Sequence, residues 1–288
     1  MFVPILLACV VAVFGKPHHH NAISHGHYHH QQFHNHQPTT KTDTAIAPLI
    51  VGGSTADPKD WPWQAALSMN GFLFCGGSLI GPNEIGDYYV LTAAHCVYGD
   101  TAGSFNVDLG RHKVNNDPNV QSRSVERIAV HEDYNRRTLE NDIALLKLGT
   151  QPNISQANVG PVNLPEVADE QPPAGANLWV TGFGTTSSGG TSPEFLQAVE
   201  KPYVLDSVCA RNSVYGNDYY PDTMLCAGST GLDACQGDSG GPLVLLKSDG
   251  SYTQYGVVSW GIGCGSPGYP GVYAEVSHYL DWIKKNMY

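Results

Sequence analysis

Positive charge is scarce in this 288-residue sequence: 15 Lys and Arg face 26 Asp and Glu, a formal net charge of −11. Such a chain repels phosphate backbones and anionic lipid surfaces, which argues against nucleic acid and membranes as partners. Long hydrophobic runs are missing too. Residues 2–14 are apolar but too few to span a bilayer, and they read as the core of a signal peptide, residues 1–15. Residues 16–49 contain no cysteine and, before Ile46, almost no large aliphatic side chain. Nine of the 13 histidines lie there, from His18 to His36. A segment of this composition cannot bury a core and reads as a disordered prosegment. Imidazole ligates zinc and copper, so a metal-binding role is the alternative; it lacks ligands spaced on an ordered scaffold.

From residue 50 onward the composition is globular. Short β-prone runs at 76–80, 88–91, 143–148, 178–181, 242–246 and 255–259 alternate with Gly, Pro, Asn and Asp clusters. That pattern favours an all-β barrel or sandwich over α/β. Val276, Tyr279, Leu280 and Ile283 recur at helical spacing and predict an amphipathic C-terminal helix. Of seven cysteines, Cys9 falls in the signal peptide. The other six predict three disulfides in a secreted, extracellular chain, and spacing alone leaves fifteen connectivities open.

Three short motifs carry chemistry together: Thr92-Ala-Ala-His95-Cys96, Asn141-Asp142-Ile143, and Gly237-Asp238-Ser239-Gly240-Gly241-Pro242. A serine hydroxyl is a poor nucleophile at neutral pH without a base in hydrogen-bond reach, and that base needs an orienting acceptor. Histidine suits the first role, because its pKa lies near working pH. A buried carboxylate suits the second. Glycines beside the serine let backbone N–H groups approach a developing oxyanion. Singly, each motif has an ordinary reading as a core histidine, a turn aspartate or a loop. Their joint occurrence in this order favours catalysis.

These motifs, with Ile50-Val-Gly-Gly53, Trp61-Pro-Trp63, Cys75-Gly-Gly-Ser78, Ser259-Trp260-Gly261 and Pro270-Gly271-Val-Tyr273, make residues 50–288 similar to the chymotrypsin/trypsin family of serine proteases. The resemblance implies two antiparallel six-stranded β-barrels with a C-terminal α-helix. It implies disulfides Cys75–Cys96, Cys209–Cys226 and Cys235–Cys264. It makes Ser239 the nucleophile, His95 the general base, Asp142 its orienter, and the amides of Gly237 and Ser239 the oxyanion hole. No cofactor or metal enters that chemistry. Protein or peptide substrates and protein protease inhibitors are the implied partners.

The same resemblance assigns specificity and activation. Asp233 would floor the primary pocket, lined by Ser259, Trp260, Gly261 and Gly271. A carboxylate there suits arginine's bidentate fork, and lysine less well, because Ala234 stands where the family's trypsins place a serine. Chymotrypsin- or elastase-like specificity is the alternative. Activation would free the amine of Ile50 to pair with Asp238. The preceding residue is Leu49, not a basic one, so a protease accepting leucine is expected as activator, and an Asp233-floored pocket would not make that cut itself. Residues 111–121 correspond to the family's calcium loop but hold only one carboxylate, Asp117, and predict no ion there.

Overall fold

A computed structural model describes residues 53–185, 190–229, 234 and 237–288. The expected signal peptide, the prosegment, Leu49, Ile50, Asp233 and Cys235 lie outside the described residues.

The strands of the first half are β1 (Ser54–Thr55), β2 (Gln64–Met69), β3 (Phe72–Ile80), β4 (Tyr89–Thr92), β5 (Asn106–Leu109), β6 (Gln121–Val130) and β7 (Ala144–Leu148). Strands β2 to β7 close into an antiparallel barrel in the order β2-β3-β4-β7-β6-β5. The second half supplies β8 (Asn177–Gly182), β9 (Gln197–Val204), β10 (Met224–Ala227), β11 (Pro242–Leu246), β12 (Tyr252–Trp260) and β13 (Gly271–Glu275). They form a second ring, β8-β9-β10-β13-β12-β11, closed where Leu243 and Val244 of β11 meet Val180 and Trp179 of β8. Strand β1 pairs with β9. Closure leaves neither barrel a long free edge to template aggregation.

Local chemistry explains the first hairpin. Asn70 and Gly71 both have positive φ, 52° and 85°, and form the two-residue connection between Met69 and Phe72. Asn-Gly is the preferred pair for such a turn, because its twist matches that of the flanking strands. The turn draws residues 72–75 into β3, which therefore starts earlier than the expected 76–80.

One buried cluster spans both barrels, and the second half holds two further clusters of its own. Leu67, Leu79, Val90 and Leu109 of the first barrel belong to the same buried cluster as Ala198, Val244, Val257 and Ala274 of the second. Burying an aliphatic side chain of this size stabilises by about 1.5–3 kcal/mol. Buried polar bonds cross the seam, among them Ser78 Oγ donating to Gln254 Oε1 at 2.6 Å and Thr181 Oγ1 donating to Gln64 Oε1 at 2.5 Å. They fix the register of one barrel against the other, which a purely apolar interface would leave looser.

Two one-turn helices, α1 (Ala94–Val97) and α2 (Asp206–Cys209), precede the C-terminal α3 (Leu280–Asn286). The helical period was right about burial, since Val276, Tyr279, Leu280 and Ile283 are all buried. However, Val276–Tyr279 form a 3₁₀ turn, and the α-helix begins only at Leu280. Trp282 Nε1 donates to Glu132 Oε2 at 2.8 Å, and Arg127 Nη2 donates to the carbonyls of Asn286 and Tyr288 at 2.6 and 3.0 Å. Residues 81–88, for which the sequence offers no role, pin the chain end as well: Asn83 Nδ2 donates to Met287 O at 2.8 Å. The disulfides Cys75–Cys96 and Cys209–Cys226 are formed, and Cys264 is disulfide-bonded.

Candidate active site

Helix α1 follows β4 directly and carries His95 to the seam, with its neighbour Cys96 tied to Cys75 of β3. Asp142 precedes β7, with Asn141 before it held at φ 56°. The carboxylate is buried, and it accepts three hydrogen bonds. Oδ1 takes the His95 backbone N–H at 2.8 Å; Oδ2 takes His95 Nδ1 at 2.7 Å and Ser259 Oγ at 2.5 Å. An ionised carboxylate only accepts, so Nδ1 must carry the ring proton and Nε2 keeps a lone pair. Burial pushes the His95 pKa down, but the hydrogen bond and charge of Asp142 outweigh it and hold the imidazole above its ordinary value.

The Ser239 loop lies against the same edge. The Gly76 amide donates to Ser239 O at 2.7 Å, and Cys96 Sγ sits 3.7 Å from His95 Nε2 and 3.6 Å from Ser239 O. Gly240 makes this approach possible: at φ 79°, a Cβ there would fall 2.2 Å from Thr92 Oγ1 and 2.6 Å from Gly76 O. Among the described residues no hydrogen bond joins Ser239 Oγ to His95 Nε2; bonds of this type tighten as a substrate is engaged. Among the described residues neither the Gly237 nor the Ser239 amide has an acceptor, which leaves two N–H donors beside the hydroxyl. Asp238 is fully buried and accepts the Gly184 amide at 2.8 Å. A Cβ on Gly182 or Gly184 would come within 2.1 or 2.4 Å of its oxygens, so both glycines are needed to seat it.

A cavity of ≈ 160 Å³ opens beside Ser239 and is lined by Ala234, Ser259, Trp260, Gly261, Gly271 and Tyr273, among others. The expected wall residues therefore converge on one space. Two features escaped the sequence reading. One is the Ser259 hydroxyl, which reaches Asp142 from β12. The other is Lys201 of β9, whose side chain is completely buried and whose Nζ donates to Tyr273 Oη at 2.8 Å. Strand alternation holds its signal, because Lys201 shares a face with the buried Val199 and Tyr203 while Glu200 points out.

Among the described residues, the one grouping of side chains close enough to share a metal ion is Cys75, His95 and Cys96. The two cysteines are bonded to each other and offer no thiolate. In the stretch 111–121, Arg111 takes a central place. Its guanidinium pairs with Asp108 at 2.9 Å and donates to the carbonyls of Lys113 and Val114 at 3.0 and 2.8 Å. Asp117 accepts backbone N–H groups from His112, Lys113 and Asn119. Burial pushes its carboxyl up, but these bonds prevail and hold it below its usual range.

Two antiparallel six-stranded barrels with a His–Asp pair and a glycine-flanked serine at their seam define a serine endopeptidase of the chymotrypsin-like fold class. The trypsin family model matches residues 50–283, and the chain belongs to the trypsin family of serine proteases. It is 42% identical over 253 residues to Trypsin-1 of Astacus astacus, covering 82% of this chain and 99% of that one. It is 43% identical over 245 residues to a mouse tryptase, with 81% and 87% covered, and 39% identical over 239 residues to a trypsin of Phaedon cochleariae, with 82% and 87% covered. Among the described residues no helix is long and apolar enough to cross a membrane.

Proposed function

We propose that the chain is a secreted zymogen. Residues 1–15 are its signal peptide, 16–49 its histidine-rich prosegment and 50–288 its catalytic domain. Ser239 Oγ attacks the scissile carbonyl carbon while His95 Nε2 takes its proton. The amides of Gly237 and Ser239 receive the oxyanion. His95 returns the proton to the leaving amine, and water then hydrolyses the acyl-enzyme by the same route. Asp142 fixes the imidazole tautomer and stabilises its cation. The observation that carries this reading is the buried Asp142 carboxylate gripping His95 at two points beside the Ser239 loop.

Cleavage follows arginine, and lysine less well, with Asp233 as the pocket's counter-charge between the Gly261 and Gly271 walls. Activation requires a protease that accepts Leu49 and frees Ile50 to pair with Asp238. The seat built for Asp238 by Gly182 and Gly184 supports that role. Protein protease inhibitors are expected to compete at the same cleft. The test is a serine-directed fluorophosphonate label followed by peptide mass mapping. The mature enzyme should carry one adduct, on Ser239, and lose it in Ser239→Ala. Labelling elsewhere, or none in enzyme whose N-terminus is Ile50, would overturn the proposal. Loss of arginine cleavage in Asp233→Ser, with labelling retained, tests the pocket separately.

A further inference from the structure

The sequence holds one Asn-X-Ser/Thr triplet with X other than proline, Asn153-Ile154-Ser155, and the proposed mechanism makes no use of it. It lies in the turn that follows β7, where the Gln156 amide donates back to Asn153 O at 3.4 Å. Pro152 is buried, while Asn153, Ile154 and Ser155 are all exposed. Gln121 of β6 clamps the turn's backbone. Its Oε1 accepts the Asn153 amide at 2.8 Å, and its Nε2 donates to Asn153 O and Gln156 Oε1, both at 2.9 Å. The Asn153 carboxamide has only one committed end. Its Oδ1 accepts the Ser155 backbone N–H at 3.1 Å and the Ser155 hydroxyl at 2.6 Å. A backbone N–H can only donate, so the atom facing it is the oxygen, and the amide's orientation is fixed. Among the described residues Nδ2 has no acceptor.

We propose that Asn153 is an N-glycosylation site, its Nδ2 carrying an oligosaccharide. The inference rests on the reading that the chain is secreted, because the transferase and its donor, a lipid pyrophosphate-linked oligosaccharide, belong to the secretory route. In the transfer, Nδ2 bonds to C1 of the first sugar and the C1–O bond to the pyrophosphate breaks. One Nδ2 proton passes to a base of the transferase, and the lipid pyrophosphate leaves. The Ser155 hydroxyl is the second group the triplet must supply. The folded turn can keep the adduct. A glycan is bulky and hydrophilic and needs a surface position, which Asn153 has. The sugar replaces one Nδ2 hydrogen that serves no partner among the described residues, while Oδ1 keeps both of its donors. The clamp on the backbone is untouched, and no buried group loses a hydrogen bond. Among the described residues no hydrogen bond joins the turn to His95, Asp142 or Ser239, so the glycan leaves the catalytic geometry alone.

The test expresses the full chain in an insect or mammalian secretory cell line. Protein from medium and from cell extract is treated with peptide N-glycosidase in heavy-oxygen water, which marks a formerly glycosylated asparagine as labelled aspartate. Attachment precedes the end of folding, so sampling both fractions lets a poorly folding variant still report. Peptide mass mapping should find the label on Asn153 and on no other asparagine, above an enzyme-free control. Asn153→Gln and Ser155→Ala should each abolish it. Ser155→Thr, which keeps the hydroxyl, should retain it. Wild-type chain that reaches the medium without residues 1–15, yet with Asn153 unmodified there and in Ser155→Thr, would overturn the inference and leave secretion standing. A chain that stays in the cell with residues 1–15 attached would overturn the secretion reading, and the inference with it.

Discussion

Asp142 holds three donors on two oxygens, and in the proposed mechanism this turns an ordinary imidazole into a base with a defined proton. Replacing Asp142 with Asn keeps the shape but presents an N–H where an acceptor is needed. The ring then favours the other tautomer, and kcat should fall by ~10⁴, the size of this effect in well-characterised enzymes of the fold. The pH profile gives a second readout. A general base works only when neutral, and Asp142 holds the His95 pKa above the ordinary 6.5, so on the proposed mechanism wild-type activity should decline as pH drops through a value above that mark. In Asp142→Asn the raising influence is gone, and the acid limb of the residual activity should move to lower pH. An unmoved limb would contradict the assignment. Glu275 supplies a stability prediction. Its carboxyl is buried, accepts Ser277 Oγ at 2.9 Å, and is pushed by burial up to about 7. Folding therefore takes up a proton between the usual carboxylate range and about pH 7, and stability falls as pH rises through that window. Glu275→Gln should raise Tm at pH 8, recovering about 1–3 kcal/mol, and change it little at pH 4.5. The convergence of His95, Asp142 and the Ser239 loop was legible because each is flagged by residues within a few positions. The Ser259–Asp142 bond spans 117 positions and leaves no local trace.

The C-terminal helix shows the same division at the level of elements. Apolar spacing revealed which side chains it buries, because burial depends on period. It could not reveal that the first turn is 3₁₀, nor that Asn83, 204 positions away, would hold the chain end. Barrel closure was legible only through resemblance, since ladder partners such as Ala65 and Leu109 are set by tertiary register. Ile283 is buried in the common core. Ile283→Ala should cost about 2–5 kcal/mol in urea unfolding at unchanged m-value, by lost transfer energy plus a residual cavity. Asn83→Ala removes the bond to the half-buried Met287 carbonyl and two bonds within its own loop, from the Ile85 and Asp87 amides, and should cost about 1–2 kcal/mol. Equal costs for the two would mean that the 81–88 segment, not the core face, anchors the helix.

For the molecule as a whole, the pocket and the activation junction bear on each other. A pocket closed to apolar residues cannot cut after Leu49. A pocket floored by Asp233, as proposed, is of that kind, so purified proenzyme seeded with trace mature enzyme should release no Ile50 N-termini. Release of Ile50 N-termini at a rate rising with the seed would overturn the Asp233 reading of the pocket. Arg111 has a consequence of a different kind. A loop organised by a bound ion gains stability that follows the ion's concentration, RT ln(1 + [L]/Kd), and loses it to dilution or chelation. Arg111 brings its positive charge to Asp108 and the Lys113 and Val114 carbonyls on a covalent tether, so its effective concentration never changes. The melting midpoint should be the same in excess chelator as in millimolar calcium, and the enzyme should resist its own digestion equally well in calcium-poor and calcium-rich fluids.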